Sequence, residues 1–383
     1  MTRPDARAGP SRAEIPPEAP AVLTVDIGAL RRNYRKLKEL AAPAACAAVV
    51  KADAYGIGAR RAVAALAAEG CDTFFVATLE EARLVRETAH EITLYVLDGL
   101  LPGTAPLFAA LDARPILGSV DEIEDWAAFA RGLDVRLCAA LHLDTGMNRL
   151  GLRGEEFDRL VRSPQALEAF DIGLVISHLA CADEPENPNN EAQRLAFDEM
   201  RAKLPRAPAC LANSGGVFLG AAYHYDMVRP GIALYGGRAT ASDAAAMAPV
   251  VHMAGRILQT KRAEAGETVG YGATRTLERP TRLAIVAAGY ADGYFRALGS
   301  SNAHAGAMAY LGDYRTPILG RVSMDLIAVD VTDVPADLAQ RGAFVELLGT
   351  HVGIDDLADV AGTIGYEVLT RLGPRCHRVY VED

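Results

Sequence analysis

From residue 46 to residue 229 the chain alternates two patterns. Short runs of apolar and β-branched residues are separated by longer segments in which apolar positions recur every three or four residues. The short runs predict strands at 46–51, 73–77, 92–97, 114–117, 135–143, 172–178, 209–212 and 225–229. The longer segments predict helices at 60–69, 80–89, 106–111, 120–131, 155–161, 191–204 and 215–220. Several open on a capping side chain, as Thr78 does before Leu79-Glu80-Glu81 and Ser119 before Val120-Asp121-Glu122. The early carboxylates also suit the positive end of a helix dipole. Strands and helices in strict alternation predict an α/β fold, a (β/α)₈ TIM barrel. A doubly wound open sheet is the rival, but no Gly-x-Gly-x-x-Gly follows the first strand.

On either side of this rhythm the pattern changes. Residues 21–27 read as a strand and 30–40 as a helix, while residues 1–20 are rich in Pro, Ala and Arg and lack a continuous apolar stretch. They read as a disordered leader and not a secretory signal. Beyond Gly236-Gly237 lies an Ala-rich link at 239–248, and then alternation of period two takes over. Strands are predicted at 250–261, 283–288, 307–311, 315–319, 326–331, 344–348 and 378–382, with one helix at 354–364. The predicted organisation is a leader at 1–20, a cofactor-binding barrel at 21–246 and a mainly β C-terminal domain at 247–383.

Composition narrows the function classes. The 383 residues exceed the size at which one core stops growing, which fits two domains. With 39 Lys and Arg against 49 Asp and Glu, the formal charge of −10 argues against nucleic acid or an anionic membrane as partner. No stretch supplies the ~18 consecutive apolar residues of a membrane span. The six cysteines form no Cys-x-x-Cys pair and several sit in apolar runs, the usage of buried, reduced thiols in a cytoplasmic protein.

The candidate chemistry lies where the predicted strands end. Ala48-Val49-Val50 stops at Lys51, followed by a loop with Tyr55 and Gly56. Taken alone, Lys51 reads most simply as a surface lysine whose stem lies along apolar surface. A desolvated lysine, however, sheds its proton and becomes a nucleophile able to form Schiff bases. In a barrel the strand ends share one mouth. There the fifth strand would bring Arg149, the sixth His178, the seventh Asn213 and Ser214, and the eighth Arg229, Gly231 and Ile232. Ser214, Gly215, Gly231 and Ile232 sit at loop-to-helix transitions, where free N–H groups favour a phosphate. A phosphate site opposite a Schiff-base lysine points to pyridoxal 5′-phosphate. A sugar-phosphate aldolase would need a carboxylate acid beside the lysine, and none is evident. Facing the pyridine nitrogen, Arg229 could only donate a hydrogen bond, leaving a weak electron sink suited to proton exchange at Cα.

Eight runs in order then resemble the alanine racemase family: Val-Val-Lys51-Ala-Asp-Ala-Tyr55-Gly, Asp144-Thr-Gly-Met-Asn-Arg149-Leu-Gly, Ser-His178-Leu-Ala-Cys-Ala-Asp-Glu184, Asn213-Ser214-Gly, Met227-Val-Arg229-Pro-Gly-Ile-Ala-Leu-Tyr-Gly236, Val269-Gly-Tyr271-Gly-Ala-Thr, Gly289-Tyr-Ala-Asp-Gly-Tyr294 and Gly320-Arg-Val-Ser-Met324-Asp325. They span almost the whole chain after the leader. The resemblance implies interconversion of L- and D-alanine through a pyridoxal phosphate aldimine, supplying D-alanine for peptidoglycan, by a cytoplasmic homodimer whose chains share their active sites. It makes Lys51 the cofactor anchor and base on one face, and Tyr271, from the other chain, the base on the opposite face. His178 would couple Tyr271 to Arg229. Arg149 and the Met324 N–H would contact the substrate carboxylate, with Arg149 also on the cofactor's phenolic oxygen. Tyr55, Ser214, Gly231, Ile232 and Tyr366 would hold the phosphate, with Asn213 beside them. No metal is implied.

Two positions depart from the family pattern. His142 stands where many members have a carbamylated lysine that braces the arginine, so Arg149 is expected to find a bound anion or another carboxylate. Ile57 replaces a usual histidine and alters packing around the loop. A racemase of broader specificity, a non-catalytic cofactor carrier and a pyridoxal-dependent decarboxylase on the same barrel remain the alternatives.

Overall fold

The apolar runs of the repeating region become strands paired in chain order. The computed structural model describes residues 15–133, 135–241 and 246–382. Most of the predicted leader, 1–14, and part of the Ala-rich link, 242–245, lie outside the described residues. By its contacts the chain divides into two units: Leu30 to Met247, and the residues up to Ala29 together with those from Ala248 on.

In the first unit seven parallel strands lie side by side: Ala48–Val49, Thr73–Val76, Thr93–Val96, Arg114–Leu117, Cys138–His142, Asp171–Ile176 and Ala209–Cys210. Thr73–Val76 is buried at every residue, as a parallel strand covered on both faces must be. The eighth strand, Met227–Val228, pairs with Ala45–Cys46, just ahead of the first. Ala47 and Val49 donate to the carbonyls of Val228 and Pro230, while Asp226 and Arg229 donate to those of Ala209 and Ala212. The eighth strand is thus bonded to both the first and the seventh, and the ring closes as a (β/α)₈ barrel. Helices fall between the strands with the predicted caps. The Thr78 hydroxyl accepts from the Glu81 N–H, and the Glu81 carboxylate returns to the Thr78 N–H, a capping box. Trp126, Phe108 and Phe74 are among the large side chains buried in this unit.

The second unit is built on Val251–Ala263, whose first seven residues alternate buried and half-buried. This half pairs with Phe344–Leu348 and with Ala21–Asp26, which in turn pairs with His377–Val381. From Ile257 onward the strand pairs with Thr281–Val286, with a register shift between Ile257 and Gln259. The sequence reading placed 21–27 at the head of the barrel segment; the hydrogen bonds put Ala21–Asp26 in this second sheet. A strand that pairs far along the chain carries no local mark of its destination. The predicted helix at 354–364 ends at Ala361, because Gly362 takes φ 71°, and a further helix that was not predicted follows at Gly365–Thr370. No helix among the described residues is long and apolar enough to cross a membrane.

The parallel sheet is the part that removal of core volume should loosen most. Phe74 is fully buried in it. Phe74→Ala is expected to destabilise the protein by ~3–5 kcal/mol, read as a lower denaturant midpoint at unchanged slope.

Candidate active site

Lys51 leaves the first barrel strand into an unusual turn. Ala52, Asp53, Ala54 and Tyr55 all have φ between 52° and 55°, the left-handed region, and Gly56 follows at 84°. This conformation costs an L residue roughly 1–2 kcal/mol, so four in succession require firm support. The turn closes with Ala54 donating to Val50 O at 2.9 Å and Gly56 donating to Ala52 O at 2.8 Å. Tyr55 is buried and stacks on Tyr235, ring centroids 4.6 Å apart. Around the turn, the Asp53 carboxylate accepts from Ala59 N at 2.7 Å and the Glu81 carboxylate from Ala52 N at 2.6 Å. Lys51 itself is half-buried. Burial first, then the Arg149 guanidinium, holds its ammonium below the ordinary lysine value, with Arg229 adding to this and Asp98 and Glu81 opposing it.

Arg229, only 3% exposed, is held by neutral acceptors. Its Nη2 donates to Ser177 O at 2.5 Å and to His178 Nδ1 at 2.8 Å. Its Nη1 donates to Leu211 O at 3.2 Å and Cys210 Sγ at 3.3 Å. Because a guanidinium has no acceptor, His178 Nδ1 must be the accepting nitrogen, which leaves any ring proton on Nε2. Burial, then the charges of Arg229 and Arg149, push the His178 pKa well below its ordinary value, so the ring is neutral.

The phosphate-type cradle forms where the seventh and eighth strands end. Asn213 caps the short helix Ser214–Phe218, accepting from Gly216 N at 3.0 Å. The buried Ser214 hydroxyl accepts from Gly231 N at 2.8 Å and Ala233 N at 3.3 Å. The Gly231 N–H, expected to be free, is therefore engaged within the chain. Ile232 begins a 3₁₀ turn and Ser214 a helix, so neither N–H has an acceptor within its own element. A side chain at Gly231 would put its Cβ 2.3 Å from Tyr55 Oη, and one at Gly215 would be 2.6 Å from Ala182 O. The glycines thus let Tyr55, Ser214 and two backbone turns approach one another. The donor set of lysine, guanidinium, hydroxyls and helix starts fits pyridoxal phosphate.

Arg149 stands exposed on the loop after the fifth strand. Among the described residues it pairs with no carboxylate, and no hydrogen bond joins it to His142. The expected carboxylate brace is absent for a reason in the loop itself. Asp144 Oδ1 accepts from the N–H groups of Gly146, Met147 and Asn148 at 3.0, 2.9 and 3.1 Å, and Oδ2 faces Arg153 at 3.4 Å. Burial raises the Asp144 pKa, but these N–H groups and Arg153 together hold it below the ordinary value. The nearest acid in sequence is thus spent on shaping the loop. His142 is buried, and burial with the Arg229 and Arg149 charges lowers its pKa to about 4. Ile57 is fully buried.

The remaining candidate residues lie in the second unit. Tyr271 sits in a turn between the paired strands Thr268–Val269 and Arg275–Thr276, with its side chain 71% exposed. Gly270 and Gly272 flank it, both at φ 75°, and a Cβ on Gly272 would lie 2.9 Å from Arg321 Nη1. Met324 is exposed, and its carbonyl accepts from Ala291 N at 3.0 Å. Tyr366 is partly exposed on the helix Gly365–Thr370. Sequence reasoning missed Asp292, buried and bonded to Gly289 N at 2.9 Å and to Arg375 at 3.0 Å, which pins the loop beside Met324. It also missed the second grip of Glu81, although the capping box that contains it was visible.

Comparison with known proteins gives one answer. A family model described as alanine racemase, N-terminal domain, matches residues 25–239, and the corresponding C-terminal domain matches residues 250–380. The chain is 47% identical over 364 residues to a catabolic alanine racemase of Mesorhizobium japonicum, across 95% of this chain and 94% of that protein. It is 46% identical over 377 residues to an alanine racemase of Brucella ovis, at the same coverage. Among solved structures it is similar to alanine racemase from Bartonella henselae with covalently bound pyridoxal phosphate, at TM-score 0.90 and 37% identity, over 95% of this chain and 100% of that one. The biosynthetic alanine racemase of Pseudomonas aeruginosa aligns at TM-score 0.86 and 38% identity, over 95% and 99%.

The depressed pKa of His142 has a direct consequence for stability. Buried and neutral, it resists protonation that the unfolded chain accepts near its ordinary value of 6.5. Its contribution is intact above about 6.5 and is lost as pH falls toward about 4. Thermal melts between those values should show falling stability, and His142→Asn should flatten the slope.

Proposed function

The chain belongs to the alanine racemase family, and from that membership we propose how its own residues interconvert the two enantiomers. It is a pyridoxal phosphate-dependent isomerase of alanine. Lys51 holds the cofactor covalently through Nζ. Tyr55, Ser214, Ile232 and Tyr366 hold its phosphate, with Gly231 giving the close approach and Asn213 fixing the helix start. Arg229 would donate a hydrogen bond to its pyridine nitrogen. When bound, the cofactor supplies a conjugated ring that spreads the electrons left behind when a proton leaves the substrate.

The division of labour follows from charge. Arg229 keeps its own proton and gives the ring nitrogen none, so electron withdrawal stays modest and the reaction stops at proton exchange. Racemisation then needs an acid–base group on each side of the substrate Cα, since one group alone only exchanges the proton on its own side. Lys51 Nζ, whose proton affinity is lowered by burial and by Arg149, takes or returns the Cα proton on one face. Tyr271 Oη, contributed by the partner chain of a homodimer, does so on the other. His178, proton on Nε2, donates a hydrogen bond to the Tyr271 oxygen and favours its phenolate form. Arg149 and the Met324 N–H orient the substrate carboxylate. The neutral His142 leaves the charge of Arg149 free for the cofactor's phenolic oxygen and that carboxylate. The enzyme works in the cytoplasm and provides D-alanine for peptidoglycan.

What supports this reading most is a single arrangement: a lysine with lowered proton affinity beside a buried arginine bonded only to neutral acceptors. The second base is the part most open to test. In Tyr271→Phe, racemisation should fall by ~10²–10⁴-fold. The cofactor should stay attached, and Cα–H exchange into D₂O should persist for one enantiomer without inversion. Full racemisation in that variant would remove Tyr271 from the mechanism.

A further inference from the structure

The left-handed turn that follows Lys51 is held from outside by one carboxylate. Glu81 Oε1 accepts from Ala52 N at 2.6 Å, while Oε2 accepts from Ala77 N at 2.7 Å and Thr78 N at 3.3 Å. Ala77 and Thr78 directly follow the second barrel strand, Thr73–Val76, and Ala52 follows the first, Ala48–Val49. The two strands pair with each other. One side chain therefore ties the exits of two neighbouring strands together at the residue after Lys51.

The location of the tie is informative. A capping box needs only the hydrogen bond from Glu81 back to Thr78, here the longest of the three at 3.3 Å. The two short contacts go to Ala52 and Ala77, outside the helix that Glu81 caps. Ala52 is the first of four residues in a conformation that L side chains avoid, and such a segment persists only where its surroundings over-determine it. Its carbonyl is already committed to Gly56 N, which leaves the N–H as the point where the turn can be gripped from outside. Glu81 supplies that grip with a charged acceptor, the stronger kind of hydrogen bond.

We propose that Glu81 is a positioning residue for catalysis: its carboxylate clamps the Ala52 N–H and so fixes the left-handed turn that aims Lys51. The aim matters because proton transfer at Cα requires the amine at hydrogen-bonding reach of the reacting carbon, and small displacements there cost large factors in rate. Tyr55, at the far end of the same turn, is held in register with Lys51 by the same clamp. The proposal rests on the role given to Lys51 above.

The test uses the holoenzyme with Glu81→Ala and Glu81→Gln. In Glu81→Ala, amide hydrogen exchange across residues 52–56 should accelerate ~10-fold or more. In the same variant kcat with D-alanine should fall ~10-fold or more while KM moves less than ~3-fold, because the substrate's carboxylate contacts are untouched. The absorbance of the attached cofactor should broaden or shift as Lys51 samples more positions. Glu81→Gln keeps an acceptor for one short contact but not both, so it should fall between wild type and alanine in every readout. It also serves where the alanine variant does not fold. In an Ala52→Gly background, where the left-handed φ carries no steric penalty, the loss caused by Glu81→Ala should shrink. Unchanged exchange at 52–56 in Glu81→Ala, or faster exchange with unchanged kcat, would overturn the proposal. Failure of the Lys51 assignment itself would appear separately, as racemisation surviving in Lys51→Ala, while the exchange measurement still reports on the clamp.

Discussion

The site depends on one buried guanidinium that has only neutral partners. Arg229 is bonded to three carbonyl oxygens, a thiol and an imidazole nitrogen. Its charge is therefore not cancelled locally and acts on everything near it. It fixes the tautomer of His178; burial first, and then its charge, lower the pKa of that ring and of His142, and it adds to the lowering of Lys51 that burial and Arg149 lead. A carboxylate in place of any one of these acceptors would reverse those effects. In the mechanism proposed above, this restraint on protonation is what Arg229 would impose on the cofactor's ring nitrogen.

Carboxylates do appear close to the mouth, but they serve the backbone. Glu81 collects N–H groups from two strand exits, and Asp144 gathers three consecutive N–H groups beneath the loop that carries Arg149. Each acid satisfies donors that would otherwise be stranded in irregular segments. The loops that bear Lys51 and Arg149 are thereby braced by carboxylates whose oxygens accept from the main chain. The loops are thus held by charged acceptors, and of these Glu81, together with Asp98, still opposes the lowering of Lys51. In the second unit the same device recurs at Asp292, which takes the Gly289 N–H and Arg375 beside the Met324 loop.

Much of this was legible in the sequence, and the gaps have physical causes. The barrel could be read because every strand exit repeats the same change from apolar run to polar loop, and because Thr78 and Ser119 mark helix starts by chemistry that acts within four residues. The sequence also placed Lys51, His178, Arg229 and Ser214 at those exits, where the structure has them. Ala21–Asp26 was placed in the segment 21–246, and its pairing with Val251–Ala263 could not be read because it is a matter of tertiary packing that leaves no local trace. The left-handed turn was invisible for the opposite reason: Ala52, Ala54 and Tyr55 carry no propensity for φ above zero, Asp53 alone is only a weak signal, and contacts such as the one from Glu81 support the conformation. The brace expected for Arg149 was reasoned from charge alone. Of its two alternatives, a bound anion or a carboxylate, the carboxylate does not come from Asp144, which has nearer donors on its own loop.

The central claim is that this constellation inverts alanine in both directions at a single carbon. The most direct measurement follows the optical rotation of D-alanine and, separately, of L-alanine in the presence of the purified, cofactor-loaded protein. Both signals should decay to zero and meet at the racemic mixture, with no change in total alanine. A rotation that stays constant from either side, or that falls with release of carbon dioxide, would contradict the account.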